Sequence, residues 1–156
     1  MTFELKIVSG GQTGVDRAAL DWAIMNQVPH GGWCPKGQMA EDGKIPECYL
    51  MQETPSADFN ERTEWNVRDS DGTVILSLGP NLTGGSELTF QIARKLGKPL
   101  SHLYRSSAAS SGSALVEFTR VYEIRTLNVA GPRASEESGI SLFVQKILTE
   151  AFLDAR

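Results

Sequence analysis

Gly10, Gly11, Gln12, Thr13 and Gly14 follow the apolar run Leu5-Lys6-Ile7-Val8 and precede Val15-Asp16-Arg17, so a strand passes through a glycine-rich turn into a helix. Glycines let a backbone turn tightly and approach a ligand, and the free N–H groups and positive dipole end of the helix favour a phosphate there. Gly84-Gly85-Ser86 repeats the arrangement after a second strand-like run. Two such loops point to a polyanionic ligand and to binding or phosphate-ester chemistry rather than a structural role. Backbone donors are expected from Gly10 to Gly14 and from Gly84 to Ser86, with Thr13, Ser86, Arg17, Lys36 and Arg62 as side-chain contacts. No residue is assigned a catalytic or metal-ligating role.

The spacing also excludes chemistry. A dinucleotide fingerprint needs G-x-G-x-x-G and an acidic residue about 20 positions on for the ribose hydroxyls. Here Gly10 and Gly11 are adjacent, and the region after the next candidate strand reads His30-Gly31-Gly32-Trp33-Cys34-Pro35, with no suitably placed carboxylate. Neither loop ends in the Gly-Lys-Ser/Thr of a P-loop. Cys34 and Cys48 form neither a disulfide framework nor paired zinc-ligand spacing, and His30 with Cys34 is half a metal site with no second half.

Other polar residues carry two readings each. Arg62, Asn66 and Asp69 are spaced to share a helical face, either as a binding edge or as a solvated one. Asp69-Ser70-Asp71 suits turn capping better than cation binding. Asp16 complements the positive end of its helix, whereas Arg17 is unfavourable there unless an anion or carboxylate lies close. Trp33, at a strand end, is the best candidate for stacking on a heterocycle, while Trp22 and Trp65 read as core or interface anchors.

The elements that must position these residues alternate. Strands are expected over Phe3 to Val8, Val28 to Trp33, Thr73 to Leu78, Pro99 to Leu103 and Thr126 to Ala130. Helices are expected over Thr13 to Asn26, Asn60 to Arg68, Ser86 to Leu96, Ala114 to Ile124 and Gly139 to Leu153. The stretch from Cys34 to about Phe59, with Pro35, Pro46 and Pro55, is long for an α/β connection and reads as a functional loop, and Ser106 to Ser113 as a flexible one. Alternation of this kind predicts an α/β fold, a Rossmann-like three-layer sandwich with a mainly parallel sheet flanked by helices and ligands beyond the strand carboxyl ends. A length of 156 residues, 40% of them hydrophobic, predicts one domain spanning residues 1–156. The formal charge of −4, with both signs interspersed, offers no general attraction to nucleic acid or an anionic membrane. With no bilayer-length apolar run, and a strand-like segment where a signal peptide would stand, a cytoplasmic location is expected.

Taken together, Gly10-Gly11-Gln12-Thr13-Gly14-Val15-Asp16-Arg17, Gly31-Gly32-Trp33-Cys34-Pro35-Lys36-Gly37, Arg62-Thr63-Glu64-x-Asn66-Val67-Arg68-Asp69-Ser70-Asp71 and Leu127-Asn128-Val129-Ala130-Gly131-Pro132-Arg133 resemble the putative molybdenum carrier (molybdenum cofactor carrier protein) family. That family is similar to DprA-type proteins and LOG-type phosphoribohydrolases, within one Rossmannoid superfamily. The resemblance covers nearly the whole chain. It implies a Rossmann-like fold, a homo-oligomer (dimer or tetramer), and molybdenum cofactor (molybdopterin) or molybdate as ligand, with molybdoenzymes as recipients. The LOG-type hydrolases carry a P-G-G-x-G-T-x-x-E loop whose glutamate assists N-glycosidic cleavage. Aligning Ser86 with the threonine of that motif places Thr89 at the glutamate, and a threonine has no carboxylate to stabilise an oxocarbenium ion or activate water. Glu87 differs in helical direction from residue 89 by about 160°. These features favour a non-enzymatic carrier over a LOG-like nucleotide-processing enzyme, with a nucleotide-sensing module as a third reading.

Overall fold

The computed structural model describes residues 4–105 and 111–154. Apolar spacing along the helices decides which way each one faces. The first strand, β1 (Lys6–Val8), leads into α1 (Val15–Met25), whose Val15, Ala18, Ala19, Trp22 and Ala23 are buried at the three- and four-residue spacing of one helical stripe. The chain returns through β2 (His30–Gly31) and then leaves the main sheet. Where one strand is expected over Val28 to Trp33, the structure divides it at Gly32, beyond which β3 (Trp33–Cys34) pairs elsewhere. Gly32 has φ +133, and a Cβ there would lie 2.1 Å from the Ser9 carbonyl oxygen, so only glycine permits the chain to turn away so close to the first strand.

The long connection has structure of its own. It holds β4 (Met39–Ala40), β5 (Gly43–Lys44) and β6 (Gln52–Glu53); β4 pairs with β5 antiparallel, and β3 with β6 parallel. Cys34, Ala40 and Ile45, backed by Tyr49 and Met51, make a small separate core beneath it. Helix α2 (Phe59–Arg68) follows, one residue earlier than expected because the Asp58 side chain caps it by accepting from Asn60 N–H at 2.9 Å.

The remaining elements are β7 (Gly72–Ser77), α3 (Gly84–Lys95), β8 (Leu100–Tyr104), α4 (Ser111–Val121), β9 (Thr126–Ala130) and α5 (Ile140–Phe152). Helix α3 begins two residues before Ser86, and Ser111 to Ser113, expected as flexible, are helical. Residues 106–110 of that expected connection, and Phe3 of the expected first strand, lie outside the described residues.

Five strands form one parallel sheet in the order β2-β1-β9-β7-β8. Helices α1, α4 and α5 pack together on one face, and α2 with α3 on the other. This is the three-layer Rossmann-like arrangement. Every residue of β7 is buried, as expected of a strand covered on both faces. The apolar core lies mainly under the three-helix face, where Ile7, Trp22, Val74, Leu127, Ile147 and Leu148 meet. Toward α2 and α3 the sheet and its loops bury polar residues instead, among them Ser9, Thr73, Ser77 and Asn128.

Candidate functional site

Helix α1 leaves β1 toward one face of the sheet, and α3 leaves β7 toward the other, with β9 between the two strands. The crevice beyond the strand carboxyl ends is therefore a topological switch point, where open α/β sheets hold their ligands. A cavity of about 380 Å³ occupies it, within the size range of small-molecule sites. Of the residues expected to bind ligand, Gly10, Gln12, Arg62, Gly84, Gly85 and Ser86 line this cavity. The sheet brings them together from positions up to 76 residues apart, from Gly10 to Ser86.

Asp16 stands on the cavity floor. Its Oδ2 accepts the Gln12 N–H at 3.2 Å, and the carboxylate also takes a hydrogen bond from Gly10 N–H. Arg62 reaches in from α2, its Nη1 4.0 Å from the same Oδ2, while that nitrogen donates to the Gly10 carbonyl at 2.7 Å. The Arg62 guanidinium also lies 5.3 Å from the centre of the Phe59 ring. Gly10 has to lack a side chain for this packing, since a Cβ would come within 2.2 Å of Arg62 Nη1. Burial pushes the Asp16 carboxyl up from 3.8 to about 6, although Arg62 and the two amides pull it back toward the charged form.

The two glycine loops are chemically unlike. In the first, the backbone donors are largely committed within the protein: Gly11 N–H to Ser9 Oγ at 3.4 Å, Gln12 N–H to Asp16, Thr13 N–H to Gln12 Oε1 at 3.0 Å, and Val15 N–H to the Pro132 carbonyl at 3.1 Å. That loop turns a carboxylate, not a nest of free amides, toward the cavity. At the second loop α3 begins at Gly84, and its N-cap Thr83 makes no side-chain capping bond. Ser86 N–H donates to the Thr83 carbonyl at 3.2 Å, whereas the first two amides of a helix have no intrahelical acceptor, and Gly84, Gly85 and Ser86 all line the cavity. Arg133 and Glu136 stand at this end, Arg133 Nε 3.4 Å from Glu136 Oε1, and Glu136 Oε2 is 3.4 Å from where a Gly84 Cβ would be.

Five expected ligand contacts lie elsewhere. Arg17 grips Asp42 with Nη1 to Oδ2 at 2.6 Å and Nη2 to Oδ1 at 2.9 Å, and donates from Nε to the Gly11 carbonyl at 3.2 Å. The nearby carboxylate that an arginine in a first helical turn requires is thus supplied by the long connection. Thr13 Oγ1 donates to Glu41 and accepts the Ala134 N–H at 3.1 Å. Gly14 lies against the Pro132 carbonyl, Gly11 faces Ile45 and Met51, and Lys36 is exposed on the long connection. Trp33 is not placed for stacking in the cavity: it meets Trp65 edge-on at 4.8 Å and donates from Nε1 to Asp69 Oδ2 at 2.9 Å. Of the Arg62, Asn66, Asp69 face, the first two line the cavity, and Asp69 caps α2. Asp71 Oδ2 accepts the Arg125 and Thr126 N–H groups at 3.0 and 2.9 Å, a structural tie to β9.

Asn128 and Arg133, quoted above only as part of a family motif, and Glu136 also line the cavity and were not among the expected ligand contacts. Asn128 lies within a buried strand, and only the order of the sheet reveals that β9 runs between the two glycine-loop strands. Thr89 lines the cavity with its Oγ1 donating to the Gly85 carbonyl at 2.9 Å, while Glu87 is exposed outside it.

The sequence model of the circularly permutated YpsA SLOG family matches residues 7–152. A crystal structure of a putative molybdenum carrier protein from Syntrophus aciditrophicus SB is 47% identical, over 97% of this chain and 96% of that one, with a TM-score of 0.88. No curated protein matches.

Proposed function

The chain belongs to the circularly permutated YpsA SLOG family, and from that premise we propose that it binds and carries a phosphate-bearing heterocycle, most specifically molybdenum cofactor or a related molybdate species. The observation that carries this reading is the open amino end of α3 within the cavity. The Gly84 and Gly85 amides, the Ser86 hydroxyl and the positive end of the helix dipole make one tetrahedral-anion site, with Arg133 beside it. Phosphate and molybdate are both tetrahedral oxyanions, and either fits this donor set. Likeness to a protein described as a molybdenum carrier supports the choice of cargo. The absence of a carboxylate at Thr89 supports carriage over hydrolysis.

Gly85→Val tests it. Gly85 has no positive φ, and nothing lies within 4 Å of an added Cβ, so a valine leaves the backbone unstrained while projecting a branched group beside the anion amides. Titration with molybdate, inorganic phosphate and molybdenum cofactor should give an affinity lower by about tenfold or more for the variant, at unchanged thermal stability. Full affinity in folded Gly85→Val would remove α3 from the site. Turnover of a nucleoside monophosphate on the order of 1 s⁻¹, lost in Asp16→Asn, would replace carriage with nucleotide processing.

A further inference from the structure

The cavity is bipolar, and its floor is built to accept hydrogen bonds. Asp16 offers about four lone-pair sites, of which the Gln12 and Gly10 amides occupy part, and the carboxylate still lines the cavity. Asn128 directs its Nδ2 to Thr73 Oγ1 at 3.2 Å, which leaves its carbonyl oxygen as a second acceptor. Arg62, held by one nitrogen on the Gly10 carbonyl, keeps other N–H groups for a donor role next to Asp16. Asn66 contributes neither, because its amide accepts from Trp33 N–H at 2.8 Å and donates to the Trp33 carbonyl at 2.9 Å. A ligand anion at α3 therefore faces, across the cavity, two acceptors and a donor.

We infer that the floor reads the edge of a 2-amino-4-oxopyrimidine ring, as in guanine and pterins, with Asp16 pairing to the ring N–H and the exocyclic amine and Arg62 meeting the oxo group. The inference rests on the proposed phosphate-bearing ligand and names the residues that read its ring and the guanine nucleotides they would also accept. A carboxylate accepts two parallel N–H bonds from such an edge, as it does from an arginine. A ring offering an acceptor at the same place would meet Asp16 lone pair to lone pair. A buried carboxylate facing such a ring loses its hydration without replacement, and discrimination between rings is steep for that reason.

Four phosphate monoesters isolate the edge. GMP and a pterin bearing a phosphate ester present both N–H groups and the oxo group; IMP lacks the amine; AMP presents an unprotonated ring nitrogen. Calorimetric titration should show GMP and the pterin ester binding at least about tenfold more tightly than IMP or AMP. In Asp16→Asn that preference should collapse to within about twofold, while inorganic phosphate still competes with all four esters. Equal affinities for all four in the wild-type protein would overturn the inference, as would a GMP preference that survives in Asp16→Asn. Either result, with binding still lost in Gly85→Val, would leave the anion site standing, whereas no binding of any phosphate ester would overturn both.

Discussion

Asp16 is held in the folded protein at an energetic disadvantage that Asp16→Asn should remove. Its carboxyl ionises near 3.8 when free and at about 6 in the cavity. At 1.36 kcal/mol per tenfold change, that difference corresponds to about 3 kcal/mol. Its sign is opposite to that of a salt-bridged carboxylate. Below 3.8 both states are protonated and Asp16 costs nothing; between 3.8 and about 6 the folded protein holds a proton that the unfolded chain has released, so stability falls as pH rises. Above that window the full deficit is present. Asparagine mimics the protonated side chain, and its carbonyl oxygen can still accept from the Gln12 amide. Arg62 loses its counter-charge but keeps the Gly10 carbonyl and the Phe59 ring, and its attraction is already contained in the value of about 6.

Urea unfolding of both proteins from pH 3.5 to 8 measures the difference. The two should be equally stable at the acid end, and Asp16→Asn should be the more stable by up to about 3 kcal/mol at pH 7.5. Glu41, Asp42 and Asp69, whose carboxyls are held below their usual range by hydrogen bonds from Ser135, Arg17 and Arg68, favour folding in the opposite direction as pH rises. They are common to both proteins and cancel in the difference. A stability difference that does not change with pH would refute the reasoning, and so would one in which the wild type gains on the variant toward neutrality. A variant that is more stable yet poorer at binding is the pattern of a group kept for function.

The rim and the long connection give two further tests. Glu136→Gln removes a negative charge beside the amino end of α3, so the affinity for inorganic phosphate or molybdate should rise severalfold at low ionic strength, by the roughly 0.3–1 kcal/mol of a charge at a helix terminus; unchanged affinity would place the anion away from Gly84. Arg17→Ala should leave ligand affinity within about twofold, because Arg17 faces Asp42 and not the cavity, and should lower stability by about 1 kcal/mol or more through the lost bidentate pair; a large loss of affinity without a loss of stability would return Arg17 to the site.

Local chemistry determined the elements and much of the candidate site. Periodicity separated strands from helices, and β9 spans the same residues that its apolar alternation predicts, Thr126 to Ala130. Glycine spacing marked both turns at which the cavity is built. Sequence could not decide how each turn spends its hydrogen bonds, because partners such as Ser9 Oγ, Asp16 and Pro132 become neighbours only when the chain closes on itself. Nor could it separate the arginines. Arg17 and Arg62 each begin near a helix start, and the tertiary structure alone sends one to Asp42 on the long connection and the other under Gly10. The split at Gly32 likewise depended on the Ser9 carbonyl lying in the path of any side chain. Propensity and hydrophobic period act over a few neighbouring residues and are written in the order of the chain. The polarity of the cavity arises from contacts such as Arg62 with Gly10, 52 residues apart, and only the packing of helices on a closed sheet brings such pairs within hydrogen-bonding distance.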